Sequence, residues 1–162
     1  MYKIRQAKKA DSLFIYQKIK DLAKFEKAED QVLISADQLV KDGFEEEKLF
    51  NALIIDLDST PIGFALYYNR YSTWKGKSLY LEDLYIDEAH RKNGLGLKTM
   101  KYLAQLARDT ACNRFEWQVL DWNMPAINLY KKIGANLDSE WINCKLEGPE
   151  IVQFISQDKY QI

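Results

Sequence analysis

Apolar residues recur along this chain with two periods, and each change of period marks the start or end of an element. The run 2–6 alternates as a short strand. Asp11 stands at a helix N-cap position ahead of a segment to about Lys24, in which Leu13, Tyr16, Ile19, Leu22 and Ala23 share one face. A mobile acidic stretch follows, and Ser35-Ala36-Asp37-Gln38 then reads as a capping box for a second helix that Gly43 stops. Residues 50–57 and 62–71 are rich in strand formers and flank Asp58-Ser59-Thr60-Pro61, which predicts a hairpin. After a turn at Gly76 comes an apolar strand interrupted only by Glu82 and Asp83. A helix over 95–109 follows, with Met100, Leu103, Ala104 and Ala107 as its inner stripe. Residues 114–120 alternate again: Phe115, Trp117 and Val119 point one way, Glu116 and Gln118 the other. Asn123 caps a helix with Pro125 in its first turn and Gly134 at its end. A last strand is expected over 141–146, before a tail broken by Gly148-Pro149. The order βααβββαβαβ predicts an α/β (α+β) domain spanning 1–162 as a single unit.

Composition narrows the classes. At 162 residues and 47% hydrophobic, with four Trp, ten Tyr and seven Phe, the chain can bury a substantial core. Its 23 basic and 24 acidic residues lack the basic excess of a nucleic-acid binder. No apolar run reaches the length needed to cross a bilayer, so a cytoplasmic protein without a membrane partner is expected. Cys112 and Cys144 are too few for a disulfide framework, and the single His90 offers no metal-ligand cluster, so no metal is expected.

The strongest local pattern is Tyr80-Leu81-Glu82-Asp83-Leu84-Tyr85-Ile86 leading into Arg91-Lys92-Asn93-Gly94-Leu95-Gly96 and an amphipathic helix. Two glycines let a backbone turn tightly and present several N–H groups to one phosphate, and the next helix adds the positive end of its dipole. Read alone, the loop fits either a pyrophosphate cradle or a plain strand-to-helix connector. A Walker loop is excluded, because no glycine stands five positions before Gly96, and the dinucleotide fingerprint fails at Thr99. The remaining pattern, R-x-x-G-x-G, resembles the acetyl-coenzyme A loop of the GNAT N-acetyltransferases.

The resemblance narrows to the diamine acetyltransferases, the spermidine/spermine and thialysine group. It is carried by Ala23-Lys24-Phe25-Glu26 with Asp30-Gln31-Val32, by Gly63-Phe64-Ala65-Leu66-Tyr67-Tyr68, and by Trp74-Lys75-Gly76-Lys77. Leu79-Tyr80-Leu81-Glu82-Asp83 and Asp121-Trp122-Asn123, leading to Tyr130-Lys131-Lys132-Ile133-Gly134-Ala135, complete it. It implies a GNAT fold, with a mixed and mostly antiparallel sheet flanked by helices, acetyl-CoA as cosubstrate, a small cationic amine as acceptor and a homodimer. The apolar residues Ile151, Val152, Phe154 and Ile155 of the tail offer a docking surface for a second subunit.

Acetyl transfer to an amine needs a neutral nitrogen, yet a primary alkylamine resembles lysine and is protonated at pH 7. Glu82, just before the loop, is placed to take that proton directly or through a water, and the resemblance assigns it the base. The departing thiolate leaves more easily with a proton, and the resemblance places that acid on Tyr130. It further implies that the backbone of Leu84, Tyr85 and Ile86 binds the pantetheine as an added strand. Lys92, Asn93, Gly94, Leu95, Gly96 and Leu97 would hold the pyrophosphate, with Asn123, Met124, Pro125 and Ala126 as a second cofactor segment beside Tyr130. Arg91 joins the cofactor set through its backbone position, its charge either helping to neutralise phosphate or being solvated. For the amine it implies Phe25, Glu26, Trp74, Glu82 and Asp83. Two departures stand out: Phe25 replaces a tyrosine, and Ser72 stands where polyamine-type enzymes carry an aspartate. Losing that carboxylate favours thialysine, lysine-like amines or short diamines over spermine. The alternatives are a GNAT enzyme for another amine or a protein N-terminus, and a non-catalytic coenzyme A-binding module.

Overall fold

The computed structural model describes residues 1–156. It forms two compact units, one over Met1–Leu120 and a second beginning at Asp121. The expected single domain extends to residue 162, and 157–162 lie outside the described residues.

The first unit is built on a five-stranded sheet in sequential order. Strands β1 (Tyr2–Gln6), β2 (Asn51–Leu57), β3 (Thr60–Ser72) and β4 (Gly76–Ile86) pair antiparallel, and β5 (Arg114–Trp117) pairs parallel with β4. The mixed, mostly antiparallel sheet is therefore as the resemblance implies. The β2–β3 turn is only Asp58-Ser59: both residues have positive φ (47° and 68°), the conformation whose twist matches paired strands. β2 is the most enclosed strand, with Ala52, Leu53, Ile54, Ile55 and Asp56 all buried.

Two apolar layers cover the sheet. Helices α1 (Ser12–Phe25) and α2 (Ala36–Phe44) lie over Phe50, Ala52, Ile54, Phe64 and Leu66, with Ile15 and Leu39 as their buried contributions. On the other face, α3 (Leu95–Asp109) packs Leu95 against Ile55, Ile62 and Ile86. The stripes differ in detail from the sequence expectation. Leu13 is exposed and α1 turns Ser12, Ile15 and Ala23 inward; Ala104 is exposed, and Leu95 and Thr99 extend the stripe of Met100, Leu103 and Ala107. Periodicity fixes a face only to within about one residue step, and packing against the sheet selects among neighbours.

Gly43 does not stop α2. It lies inside the helix, buried, and a Cβ there would intrude on the Phe50 ring, so the glycine is required by close packing rather than by a cap. Ser35 caps α2 as expected by accepting from the Gln38 N–H at 3.1 Å, but the Gln38 side chain reaches forward to Asp42 instead of back. β5 ends at Trp117, short of the expected residue 120, because its pairing with β4 ends there.

In the second unit, Asn123 accepts from the Ala126 N–H and opens α4 (Met124–Lys132), and Gly134, at φ 82°, follows its end, both as expected. The strand expected over 141–146 is not formed: the segment has no ladder partner among the described residues, and Trp141 and Ile142 are exposed. Beyond it, Gly148 and Pro149 begin α5 (Gly148–Ile155) instead of breaking the chain. Proline fits a first helical turn, and Glu147 and Glu150 form a reciprocal capping box. Among the described residues no helix is long and apolar enough to cross a membrane.

Asp11 shows how the start of α1 is tied to the sheet. It stands at the N-cap, but its carboxylate makes a bidentate pair with Arg5 (2.7 and 2.9 Å), and Arg5 Nε donates to Asp56 on β2 at 2.7 Å. The paired guanidinium and the Lys8 N–H hold the Asp11 carboxyl below its ordinary value. A depressed carboxylate stabilises the fold above its unfolded-state pKa and loses that contribution as pH falls through the folded one. Asp11→Asn is thus expected to cost about 1–3 kcal/mol at pH 7 and to show a smaller further loss on acidification than the native chain. Urea titrations at pH 7 and pH 4 measure both.

Candidate functional site

The site is organised by an irregularity in β4. Leu66 of β3 faces Asp83, but the next residue, Tyr67, faces Leu81, so Glu82 is an extra residue opposite no partner. In a regular strand Glu82 and Asp83 would point to opposite faces. The bulge instead puts both on the α1 side: Asp83 lies opposite Leu66, and Glu82 accepts from the Tyr68 hydroxyl at 3.0 Å. Leu81 and Leu84, three residues apart, stay on the α3 side through their partners Tyr67 and Ala65. The sequence carries this signal, because the apolar alternation of Leu79 and Leu81 resumes at Leu84 and Ile86 with its parity shifted.

Glu26, at the C-cap of α1, completes an acidic group. Asp83 is half-buried, and desolvation, together with the charges of Glu82 and Glu26, pushes its carboxyl up to about 7. Glu26 is raised by desolvation. Tyr68 is pushed up to about 12 by burial and by its bond to Glu82, which its neutral form donates. Three carboxylates sharing one partly desolvated face, with Tyr68 and Tyr80 stacked beside them at 5.3 Å, suit an organic cation.

Beyond the bulge, β4 changes neighbours. Its pairing with β5 ends at Leu81 and Trp117, whereas its pairing with β3 runs on to Ile86. The Asp87 N–H turns to Ile62 of β3, so by strand alternation the N–H and C=O groups of Leu84 and Ile86 face the edge that β5 has left. An extended ligand can pair with such an edge. Tyr85, expected to take part through its backbone, points that backbone to β3 instead.

The loop follows directly. Lys92 (φ 64°) and Gly94 (φ 74°) are left-handed, and Gly94 occupies the N-cap of α3, where no side chain caps the first turn. Alternating left-handed residues aim successive N–H groups into one concavity, and the helix dipole adds to it. A Cβ on Gly94 or Gly96 would meet nothing within 4 Å, so the ground before the loop is open to a phosphate. Asn93, by contrast, turns its amide to the His90 carbonyl at 3.2 Å.

The Arg91 side chain takes neither of the two courses left open for it, phosphate or solvent, and turns back to the strand. Its Nε donates to the Ile86 carbonyl at 2.8 Å, and its guanidinium carbon lies 5.1 Å from both the Phe25 and Tyr85 rings. Phe25 is thus engaged with Arg91, beside the strand edge. Trp74 sits at the tip of the β3–β4 turn, 81% exposed. The β4 stretch from Gly76 to Glu82 spans roughly 20 Å at the usual strand rise, so the fold does not bring Trp74 to the acidic group. Ser72 is folded into that turn, its hydroxyl accepting from the N–H groups of Trp74 and Lys75 at 3.3 and 3.2 Å.

In the second unit, Met124, Pro125 and Ala126 form the first turn of α4 behind the Asn123 cap, and burial raises the Tyr130 phenol, two turns on. Tyr68, Arg70 and the bulge are what the residue-by-residue reading missed.

The family described as Acetyltransferase (GNAT) family matches residues 16–135. Thialysine N-epsilon-acetyltransferase of Sus scrofa is 40% identical over 156 residues, covering 90% of this chain and 92% of that protein. Spermidine/spermine N(1)-acetyltransferase-like protein 1 of Homo sapiens is 38% identical over 147 residues, 86% of this chain and 21% of that protein. Among solved structures, an integron cassette protein of V. cholerae superposes with a TM-score of 0.79 at 24% identity, covering 96% of this chain and 98% of that one, and shares the fold. The strand edge, loop and helix therefore define an acyl-transfer fold, and the chain belongs to the GNAT acetyltransferase family. Enzymes of this family use acetyl-CoA, and the open loop and the strand edge that β5 leaves, apart from the Ile86 carbonyl taken by Arg91, fit its pyrophosphate and its amide-bearing arm.

The raised Asp83 carboxyl has a cost in stability. Its folded pKa lies above the ordinary value, so the fold is most favoured below pH 4 on this account and loses that advantage as pH rises through about 7. Asp83→Asn is expected to be more stable than the native chain at pH 8, by about 1–2 kcal/mol, and close to it at pH 4. Denaturant unfolding at the two pH values reads this directly.

Proposed function

We propose that this chain transfers the acetyl group of acetyl-CoA directly to the primary amine of a small cationic substrate of the thialysine, diamine or polyamine class. The observation that carries this reading is the bulge, which sets Glu82 and Asp83 side by side on one face, with Glu26 near enough to act on Asp83. Two sequence relatives whose names specify thialysine and spermidine/spermine support the amine class.

Acetyl-CoA supplies an acyl carbon activated as a thioester. The side chains do the rest. Glu26 and Asp83 attract the ammonium group, and Tyr68 and Tyr80 line its apolar stem. Glu82 takes one proton from the ammonium nitrogen and later gives it to solvent. The freed lone pair forms the new C–N bond as the C–S bond breaks, and the extra proton left on that nitrogen passes to the phenolate that Tyr130 becomes on protonating the sulfur. Tyr130 gives its phenolic proton to the departing sulfur. Its raised pKa keeps that proton in place until it is needed. Tyr68, held in its neutral form, fixes the Glu82 oxygen it bonds.

A second reading assigns the base to Asp83, and the pKa of about 7 favours it, since a carboxyl poised near neutrality accepts a proton more readily than an ordinary one.

Thiol release with product mass confirmation, against thialysine, lysine, putrescine, spermidine, spermine and a peptide N-terminus, tests the class of reaction. For the roles, Tyr130→Phe and Glu82→Gln are expected to lower kcat by about 100-fold or more while coenzyme A binding, followed by calorimetry, stays within about twofold. Unchanged turnover in either variant removes that residue from the mechanism, and a loss at Asp83→Asn with Glu82→Gln active assigns the base to Asp83.

A further inference from the structure

The acidic group has a basic counterpart on the same face. Arg70 is two residues beyond Tyr68 on β3 and shares its side of the sheet; its guanidinium carbon lies 5.5 Å from the Tyr80 ring centroid. It donates from Nη1 to Glu116 of β5 at 2.9 Å, and Arg114 Nε lies 2.7 Å from the other oxygen of the same carboxylate. Two guanidiniums thus share one carboxylate, leaving the corner with net positive charge. Arg70 is the more solvent-exposed partner of its pair, at 55% against 20% for Glu116. A guanidinium carries five N–H donors, and one bond to Glu116 leaves most of this fork for a second carboxylate.

The two corners are joined by an aromatic floor. Glu82 is 3.0 Å from the Tyr68 hydroxyl, and the Tyr68 ring is 5.3 Å from that of Tyr80, over which Arg70 lies. The residues from Tyr68 to Arg70 cover roughly 6.6 Å of strand, about the length of a four-carbon amine stem. A bare diamine or polyamine has nothing to offer the basic end, and a second ammonium group there would be repelled. An α-amino acid with an amine-terminated side chain matches both ends.

We propose that Arg70, supported by Arg114, is a specificity-determining residue that binds the α-carboxylate of an amino-acid substrate whose side-chain amine reaches Glu82 and Asp83. This rests on the amine-acetyltransferase reading above and deepens it. It also moves the discrimination against polyamines from Ser72, whose hydroxyl is committed to a turn, to a side chain that faces the site.

The test compares lysine with lysine amide, which lacks the carboxylate charge, and with 1,5-diaminopentane, on the full chain and on Arg70→Gln and Arg70→Lys. The native chain is expected to favour lysine over its amide by roughly 10- to 100-fold in kcat/KM, the range for a hydrogen bond between charged groups. Arg70→Gln is expected to raise KM for lysine by a similar factor with kcat little changed, while both carboxylate-free substrates keep their turnover or improve as repulsion of their second ammonium is relieved; Arg70→Lys recovers part of the loss on lysine. Unimpaired turnover of the amide and diamine certifies that the variant is folded. Equal losses on all three substrates, or a native chain indifferent between lysine and its amide, would overturn the proposal while leaving the acetyltransferase reading intact. Acetylation of none of the three by the native chain would likewise overturn this proposal, and the acetyltransferase reading then stands or falls on the amine panel above.

Discussion

One unpaired residue in β4 sets the geometry on which the site depends. Because side chains alternate along a strand, an insertion at Glu82 reverses the facing of everything on one side of it relative to the other. Leu84 and Ile86 remain in the α3 layer, Tyr85 remains against the α1 and α2 layer, and two adjacent carboxylates share one face. A regular strand over the same sequence would have sent either Glu82 or Asp83 into the layer beneath α3. The cost of the arrangement is like-charge repulsion and desolvation, felt most by Asp83. A cation between the carboxylates would offset that cost, so the site is built to be more comfortable filled than empty.

The same strand carries the second requirement, an edge. β5 follows β4 for only four pairs, Ser78 to Leu81, and the main-chain groups beyond are left to others. Arg91 claims one of them, the Ile86 carbonyl, and is itself held between Phe25 and Tyr85. The end of α1, which brings Glu26, is thereby linked to the start of the anion loop. A single guanidinium thus joins the end of α1, the end of β4 and the start of the glycine loop.

Much of the frame was legible in the chain. Alternation marked β1, an excess of strand formers marked β2 and β3, the cap at Ser35 and the glycine at 134 were read from turn chemistry, and the resemblance to the family implied the mixed sheet. Other residues misled because their local chemistry serves two ends. Gly43 offers either a helix stop or room for a ring, and Phe50 decided for the ring. Asp11 could cap or pair, and Arg5 took its carboxylate. Gly148-Pro149 could break a chain or begin a helix, and the capping glutamates at 147 and 150 favoured the helix.

The sequence by itself determined the order of most elements, the loop and the residue types that can move a proton or hold a cation, because these follow from local periodicity and side-chain chemistry. Which residues meet was decided by tertiary structure alone. Trp74 and Glu82 belong to one hairpin yet lie far apart along it, while Glu26, distant in sequence, acts on Asp83. Arg70 turns toward Glu116 only because β5 lies beside β4 in parallel register. Such meetings depend on strand register and on the displacement of water from a shared face, and neither is a property of any short stretch of chain.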